Sequence, residues 1–343
     1  MPTPLKRTAA WAGLLLLGLI LLGLAGWGVL ALLYFDHASP ALRNVLATAY
    51  GVASLIALFG FTMRRWRRRA VLTQLALFCL VLAFWSRIQA SNDHVWVTES
   101  AVLPYATFEG DRVTVHNIRN FDYRTETDFT PAYYDRTYDL QQLNSVDLFA
   151  VYWMGPAIAH VFVSFGFADG NHLAISIEAR NERGEGYSTI KGFFRQYELY
   201  YAVGDERDIV RLRTNYRKDP PEEVHLYRVH GSIANGRAFL LDYLREINSL
   251  KEHPAFYNTL TTNCTSNVWL HGRVAPGHLP YSWKILLSGY FPEYLYEGGR
   301  LDTSIPFDEL QKRSIINPLA QAADKAEDFS QRIRAGRILA AQP

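Results

Sequence analysis

The 343-residue sequence is poor in cysteine, in methionine and in net charge. It has two cysteines and three methionines, and its formal net charge is +2 at pH 7. Two cysteines cannot form the disulfide framework of a small secreted domain, and so balanced a charge indicates no general preference for nucleic acid. The sequence also lacks C-x-x-C, G-x-S-x-G, H-E-x-x-H and phosphate-loop motifs. We therefore expect neither a metal nor a cofactor.

Charged side chains are missing from three long stretches within residues 1–90. These stretches are 8–35, 44–63 and 70–86. Because about 20 apolar residues span a bilayer core, they predict three transmembrane helices, at about 9–34, 44–63 and 70–87. One such stretch could be a cleaved signal peptide, but three in succession cannot. Residues 1–90 are therefore predicted to be a membrane anchor.

Basic residues set the predicted orientation of this anchor. Lys6 and Arg7 precede the first stretch, and the sequence RRWRRR at 64–69 separates the second stretch from the third. The link at 36–43 has one arginine. By the positive-inside rule, the N-terminus and the five-arginine link lie in the cytoplasm. Residues 91–343 then lie outside the cytoplasm.

Residues 91–343 are predicted to form one α+β domain, because several β-type runs precede a helical pattern. The predicted strands are 112–118, 147–153, 158–167, 172–179, 198–203, 208–214 and 223–229. The turn sequence ADGN makes 158–167 and 172–179 a predicted hairpin. Between the first two strands, 119–140 is polar and predicted to be irregular. A helix is predicted from Asn235 to the residues before Pro254.

Cys264 is the only cysteine beyond the membrane anchor, because Cys79 lies in the third apolar stretch. It stands among threonines and asparagines, whereas an inert buried cysteine normally has apolar neighbours. Residues 261–263 can cap a helix that starts at Cys264. A helix N-terminus favours a thiolate and can hold an oxyanion. We therefore expect Cys264 to be a nucleophile with a lowered pKa.

A nucleophilic thiol needs a base, and His160 is the best candidate among the histidines. It interrupts the apolar run IAHVFVSFGF, although a satisfied strand histidine is an alternative interpretation. Glu178 falls near His160 if the hairpin is regular, and it is the predicted group that orients the imidazole. A solvated carboxylate at a strand end is equally compatible with the pattern. Possible substitutes for Glu178 are Ser164, Ser176 and Asn171.

Three co-linear segments resemble the extracytoplasmic domain of the Lnb-type lipoprotein N-acyltransferase family. They are AHVFVSFGFADGNHLAISIEARNERGE (159–185), ELYYAVGDERDIVRLRTNYR (198–217) and YNTLTTNCTSNVW (257–269). The resemblance covers about residues 95–300 and implies a permuted papain-like (NlpC-type) cysteine fold, with the base histidine before the cysteine in the chain. It also implies that Arg180 and the segment 211–217 lie near the site.

Two functions are compatible with these residues. The first is a cysteine acyltransferase, which would move an acyl chain from a membrane phospholipid through a Cys264 thioester to the N-terminus of a lipoprotein, as the resemblance implies. The aromatic segment 281–296 could then line an acyl path or pack ordinarily. The alternative is a cell-wall cysteine peptidase or amidase of permuted papain-like fold. A hydrolase needs an open, wet cleft, and a transferase needs an apolar one.

The predicted orientation can be tested with reporter fusions. A reporter joined after residue 66 should report a cytoplasmic location, and one joined after residue 95 should report an exported location. The reason is that the arginine-rich link stays in the cytoplasm. Exchanging the five arginines of 64–69 for glutamines should weaken this preference. The reverse pattern for the two native fusions would contradict the predicted compartment of Cys264.

Overall fold

A computed structural model of the chain describes residues 4–35 and 38–336, with side chains from residue 8 onward. The side chains of Lys6 and Arg7, residues 36 and 37 and residues 337–343 lie outside this description. Contacts divide the chain into two compact units. One comprises residues 1–90 together with Ser188–Gln196, and the other comprises Ser91–Tyr187 and Tyr197–Pro343. Each unit is described by itself.

The three predicted membrane helices are present as α1 (Pro4–Leu33), α2 (Pro40–Thr62) and α3 (Arg67–Trp85). All three are long and apolar enough to cross a membrane, with spans of 26, 23 and 19 residues. Helix α2 starts earlier than predicted because the Ser39 side chain caps it by accepting a hydrogen bond from the Leu42 N–H. Pro40 then occupies the first turn, where its missing N–H costs nothing.

The three helices meet around the side chain of Tyr50. Its hydroxyl donates to the carbonyl of Leu24 at 3.1 Å and accepts from Gln74 Nε2 at 3.3 Å. A Cβ at Gly28 would stand 2.3 Å from the Tyr50 ring, so this position requires glycine. The segment Ser188–Gln196 belongs to the same unit, which the sequence did not predict. Within it, Arg195 donates to the carbonyl oxygen of Ile88 at 2.7 Å.

The second unit is built on a large, mostly antiparallel sheet of eight strands. Its strands run in the order β1-β2-β9-β8-β7-β6-β10, and β5 also pairs with β2. The strands are β1 (Tyr105–Glu109), β2 (Arg112–Arg119), β5 (Tyr133–Asp139), β6 (Leu143–Tyr152), β7 (His160–Phe167), β8 (His172–Arg180), β9 (Glu198–Gly204) and β10 (Glu223–Arg228), and a separate pair is formed by β3 (Asp122–Tyr123) and β4 (Phe129–Thr130). The predicted α+β class and the hairpin of β7 and β8 are confirmed.

Helices cover both faces of the sheet. They are α4 (Glu206–Arg211), α5 (Ile233–Glu252), α6 (Cys264–Gly272), α7 (Trp283–Leu286), α8 (Phe291–Glu297), α9 (Phe307–Ser314), α10 (Asn317–Ala322) and α11 (Phe329–Arg332). Apolar side chains of α5, α6 and α8 pack with Val161 and Val163 on one face. Those of α4, α10 and α11 pack with Phe162 on the other. Successive β7 residues therefore serve opposite layers, as strand alternation requires.

Two predictions about local structure were wrong. Residues 208–214 were predicted to be a strand, but α4 and a π-helical turn (Leu212–Tyr216) occupy them. The Asp205 side chain caps α4 by accepting from the Arg207 N–H, and this local cap favours helix. The polar stretch 119–140 was predicted to be irregular but contains β5 and the β3–β4 pair. Helix α5 starts at Ile233 with Ser232 as its cap, two residues before the predicted start.

Candidate active site

Cys264 is the first residue of α6, as the sequence predicts. Asn263 caps the helix, because its side-chain oxygen accepts from the Ser266 N–H at 2.8 Å. The Ser266 hydroxyl accepts in return from the Asn263 N–H at 2.9 Å. This reciprocal pair is a capping box, which fixes where the helix begins. Helix α6 packs against β7 and β8, so the cap also fixes the height of Cys264 on the sheet.

The Cys264 thiol is largely enclosed, and its ionisation differs from the sequence-based expectation. Burial raises the pKa of the thiol above its ordinary value. The backbone N–H of Val161 and the hydroxyl and N–H of Thr265 act in the opposite direction but do not outweigh burial. The expected lowered pKa is therefore wrong for the resting protein. The free energy needed to transfer the thiolate from water into this site exceeds the stabilisation that the N-terminus of α6 gives it.

His160 is the first residue of strand β7, and the Ser176 hydroxyl connects it to Glu178 by hydrogen bonds. The register of the β7–β8 hairpin, continued beyond its last pair at Val163 and Ile175, brings Glu178 opposite His160. His160 Nε2 lies 2.7 Å from the Ser176 hydroxyl, which donates to Glu178 Oε1 at 2.8 Å. The direct distance from Nε2 to Oε1 is 3.8 Å. The structure thus brings the two predicted residues together, with Ser176 between them.

This hydrogen-bond chain fixes the tautomer of the imidazole. The single hydroxyl proton of Ser176 is given to Glu178, so Ser176 must accept a hydrogen bond from Nε2–H of His160. A neutral His160 consequently carries its proton on Nε2 and keeps the lone pair on Nδ1. Burial, followed by the charge of Arg213, lowers the pKa of His160 to about 3. The ring is therefore neutral at pH 7 and can accept a proton only at Nδ1.

Glu178 remains ionised in this environment because of Arg213. Burial by itself raises the pKa of Glu178, but the nearby Arg213 guanidinium outweighs it and the pKa falls to about 2. Arg213 Nη2 lies 3.1 Å from Glu178 Oε1, and its Nη1 lies 3.4 Å from Glu222. Arg213 belongs to the arginine-rich segment that the resemblance places near the site, but no sequence pattern predicted its role. It holds the carboxylate that orders Ser176.

The Cys264 thiol reaches the backbone beside His160, but the structure does not join the two side chains directly. The thiol interacts with the backbone N–H of Val161, the residue that follows His160. Cys264 packs with the Val161 face of β7, whereas the His160 ring lies with Phe162, 5.9 Å away, towards the other layer. Within the described residues, no hydrogen bond links the thiol and the imidazole. Such hydrogen bonds are often long in substrate-free enzymes and tighten on binding.

Other candidate residues have different partners. Ser164 donates to Glu206 at 2.6 Å, and Asn171 donates to the Asp169 carboxylate at 2.5 Å. Arg180 donates to the Ser100 carbonyl at 2.9 Å and stacks over Trp96, so it does not join the His160 network. Of the three possible substitutes for Glu178, Ser176 alone contacts His160. It acts together with Glu178 and does not replace it.

Other possible ligands and bases lie apart from this site. Across residues 4–35 and 38–336, no group of three or more His, Cys, Asp or Glu side chains is arranged to hold a metal ion. His271, two turns along α6 from Cys264, is engaged elsewhere. Its Nδ1 lies 2.8 Å from Asp242, and its Nε2 lies 2.8 Å from the Tyr201 hydroxyl.

Comparison with known families supports the resemblance seen in the sequence. Residues 129–289 match the family described as the Lnb N-terminal periplasmic domain. This range includes β5 to β10, α4 to α7 and the candidate site residues Cys264, His160, Glu178, Ser176 and Arg213. No curated protein and no solved structure matches the chain.

The raised pKa of Cys264 predicts slow alkylation at neutral pH. In a Cys79→Ala background, native Cys264 should react with iodoacetamide more slowly at pH 7 than it does in urea-unfolded protein, because less thiolate is present. The native rate should rise with a midpoint above the ordinary thiol value of about 8.5. Mass spectrometry of quenched samples measures both rates. A native rate at pH 7 that exceeds the unfolded one would show that the helix N-terminus outweighs burial.

Proposed function

Because residues 129–289 belong to the family of Lnb N-terminal periplasmic domains, we propose that this protein is a membrane-anchored cysteine acyltransferase. Its acyl donor is a membrane phospholipid, and its acceptor is the N-terminal amine of a lipoprotein. Cys264 is the nucleophile, His160 is the base, and Glu178 positions that base through Ser176. No cofactor takes part in the proposed reaction.

The first half-reaction forms a thioester. The sulfur of Cys264 attacks the ester carbonyl carbon of the donor, and Nδ1 of His160 takes the thiol proton as the sulfur–carbon bond forms. The carbon–oxygen bond then breaks, and His160 returns the proton to the leaving oxygen of the lysophospholipid. The Ser266 N–H is held by the Asn263 cap. The N–H groups of Cys264 and Thr265 have no helix carbonyl as partner and can stabilise the tetrahedral oxyanion.

The second half-reaction passes the acyl chain to the amine. The amine nitrogen attacks the thioester carbon, the carbon–nitrogen bond forms, and the carbon–sulfur bond breaks. His160 takes the proton that the amine loses and returns it to the sulfur, which restores the neutral thiol. A thioester suits this task because it reacts with amines more readily than the oxygen ester of the donor does.

The position of Cys264 supports this function most directly. It is the first residue of a capped helix packed on the strand that begins with His160, in a chain that also has three candidate membrane spans. A largely enclosed neutral thiol near a neutral imidazole is suited to concerted proton transfer once a substrate brings the two side chains together. The same family could instead support a hydrolase, and the cell-wall peptidase or amidase is the alternative outcome of the tests.

The central test is capture of the acyl-enzyme. The purified full-length chain, incubated in micelles that contain phosphatidylethanolamine and phosphatidylglycerol, should gain the mass of one acyl chain on Cys264. Hydroxylamine should remove the adduct, since it cleaves thioesters. Cys264→Ser should gain little, and Cys79→Ala should behave as the wild type. No adduct from any phospholipid, together with Cys264-dependent cleavage of cell-wall peptides, would establish the peptidase reading.

The orienting role of Ser176 can be separated from simple packing. Ser176→Ala should slow formation of the thioester about 10- to 100-fold, part of the contribution of an oriented acid–base group. Ser176→Thr should restore most of the rate, because it keeps the hydroxyl. Ser164→Ala is a matched control, since Ser164 also donates to a buried glutamate on the same face but not to one near His160. Equal losses in both alanine variants would argue for a structural role only.

A further inference from the structure

An apolar cavity of about 150 Å³ lies beside α6, between the sheet, α5 and α8. Its walls include Leu148, Val163, Val268, Trp269, Phe291 and Leu295. Leu148, Val163, Val268 and Phe291 are almost fully buried. An apolar cavity of roughly this size stays dry and can bind a six-carbon ring such as benzene. The cavity can therefore hold a short length of hydrocarbon.

The polar atoms of the aromatic wall are already satisfied by the protein. Trp269 Nε1 donates to the carbonyl of Leu279 at 3.0 Å, and the Tyr294 hydroxyl donates to the carbonyl of Pro280 at 2.8 Å. A ligand in contact with these rings meets hydrocarbon and polar atoms that already have hydrogen-bond partners in the protein. At this wall a polar ligand would lose its hydration without gaining partners, so the wall favours apolar ligands, whereas His230 and Arg300 supply polar atoms elsewhere in the lining.

The cavity begins close to the Cys264 thiol along two elements. On α6, Val268 lies one turn beyond Cys264, which is a rise of about 6 Å. On β7, Val163 lies two residues beyond Val161, which is about 7 Å along the strand and on the same face. Cys264, Val161, Val163 and Val268 belong to one apolar cluster. Cys264 therefore shares one apolar cluster with two residues that line the cavity.

We propose that this cavity receives the distal part of the acyl chain that Cys264 carries as a thioester, and so sets the preferred chain length. This inference rests on the proposed acyltransferase function and names a determinant of its substrate. The first carbons of the chain run past Val161 and Val268, and the later ones enter between Trp269 and Phe291. A segment of the aromatic stretch 281–296 then lines the acyl path, through residues of α8.

Gly272 offers a way to shorten the cavity. It lines the cavity at the end of α6, and a Cβ added there meets no other atom within 4 Å. A Gly272→Leu side chain can therefore grow into open space. Gly186→Leu is a matched control, because a Cβ at Gly186 also meets nothing within 4 Å and Gly186 does not line the cavity.

The experiment compares chain lengths in one reaction. The full-length wild type and both glycine variants are given an equimolar mixture of phosphatidylcholines with acyl chains from C8 to C18, and hydroxylamine-labile adducts on Cys264 are quantified by mass. The ratio of long-chain to short-chain adducts should fall at least about tenfold in Gly272→Leu, since each methylene in a hydrophobic pocket discriminates about 10-fold or more. It should stay unchanged in Gly186→Leu.

The outcomes distinguish the two proposals. Adducts that form with the same chain-length distribution in the wild type and in a folded Gly272→Leu protein would overturn the cavity assignment and leave the acyltransferase intact. No adduct in any of the three proteins, either here or with the phosphatidylethanolamine and phosphatidylglycerol of the central test, would overturn the acyltransferase itself.

A second measurement tests the cavity when transfer fails or Gly272→Leu does not fold. Cys264→Ala protein is irradiated with a phosphatidylcholine that carries a diazirine at the end of one acyl chain. Label on the peptides that contain Trp269 and Leu295 is expected. Label confined to exposed apolar residues such as Trp283, which is 55 % exposed, would show adsorption to the surface and would overturn the proposal.

Discussion

The ion pair between Glu178 and Arg213 determines which nitrogen of His160 is the basic one. Burial raises the pKa of the Glu178 carboxyl, and the Arg213 guanidinium at 3.1 Å outweighs this effect and keeps the carboxyl ionised. An ionised Glu178 can only accept hydrogen bonds, so the Ser176 hydroxyl must point its proton at it. Ser176 then has only lone pairs left for His160. The proton of the neutral imidazole is therefore drawn to Nε2, and Nδ1 is left as the basic atom.

Burial of the thiol completes this arrangement. With the pKa of Cys264 raised and that of His160 lowered to about 3, the resting pair is a neutral thiol and a neutral imidazole. Because oxidants attack the thiolate, a resting thiol also protects an unpaired cysteine outside the cytoplasm. Nucleophilicity then develops only as the proton moves during the reaction.

Much of this site could be predicted from the sequence, and the parts that could not depend on long-range contacts. The hairpin turn ADGN fixed the register that brings Glu178 towards His160, and the polar residues before Cys264 marked the start of α6. Residues 208–214 were predicted to be a strand because Ile209, Val210 and Leu212 fit both a strand and a helix pattern. Its helical state places Arg213 against Glu178, 35 residues away in the chain. The β5 strand was missed because its exposed face is polar.

The exclusion of water links the ionisation of the site to the choice between transfer and hydrolysis. A thioester survives until an amine arrives only where water cannot reach its carbonyl carbon. The enclosure that raises the pKa of Cys264 is the same property that would protect the intermediate. Its cost is a weaker nucleophile at rest, which an oriented Nδ1 and the N–H groups of α6 can offset in the transition state. An acyl chain in the neighbouring apolar cavity would close the remaining path for water while it is bound. A wet cleft would give the opposite combination, namely an easily ionised thiol and a short-lived thioester. The largely enclosed thiol and the apolar cavity beside α6 would therefore favour transfer over hydrolysis for one common physical reason.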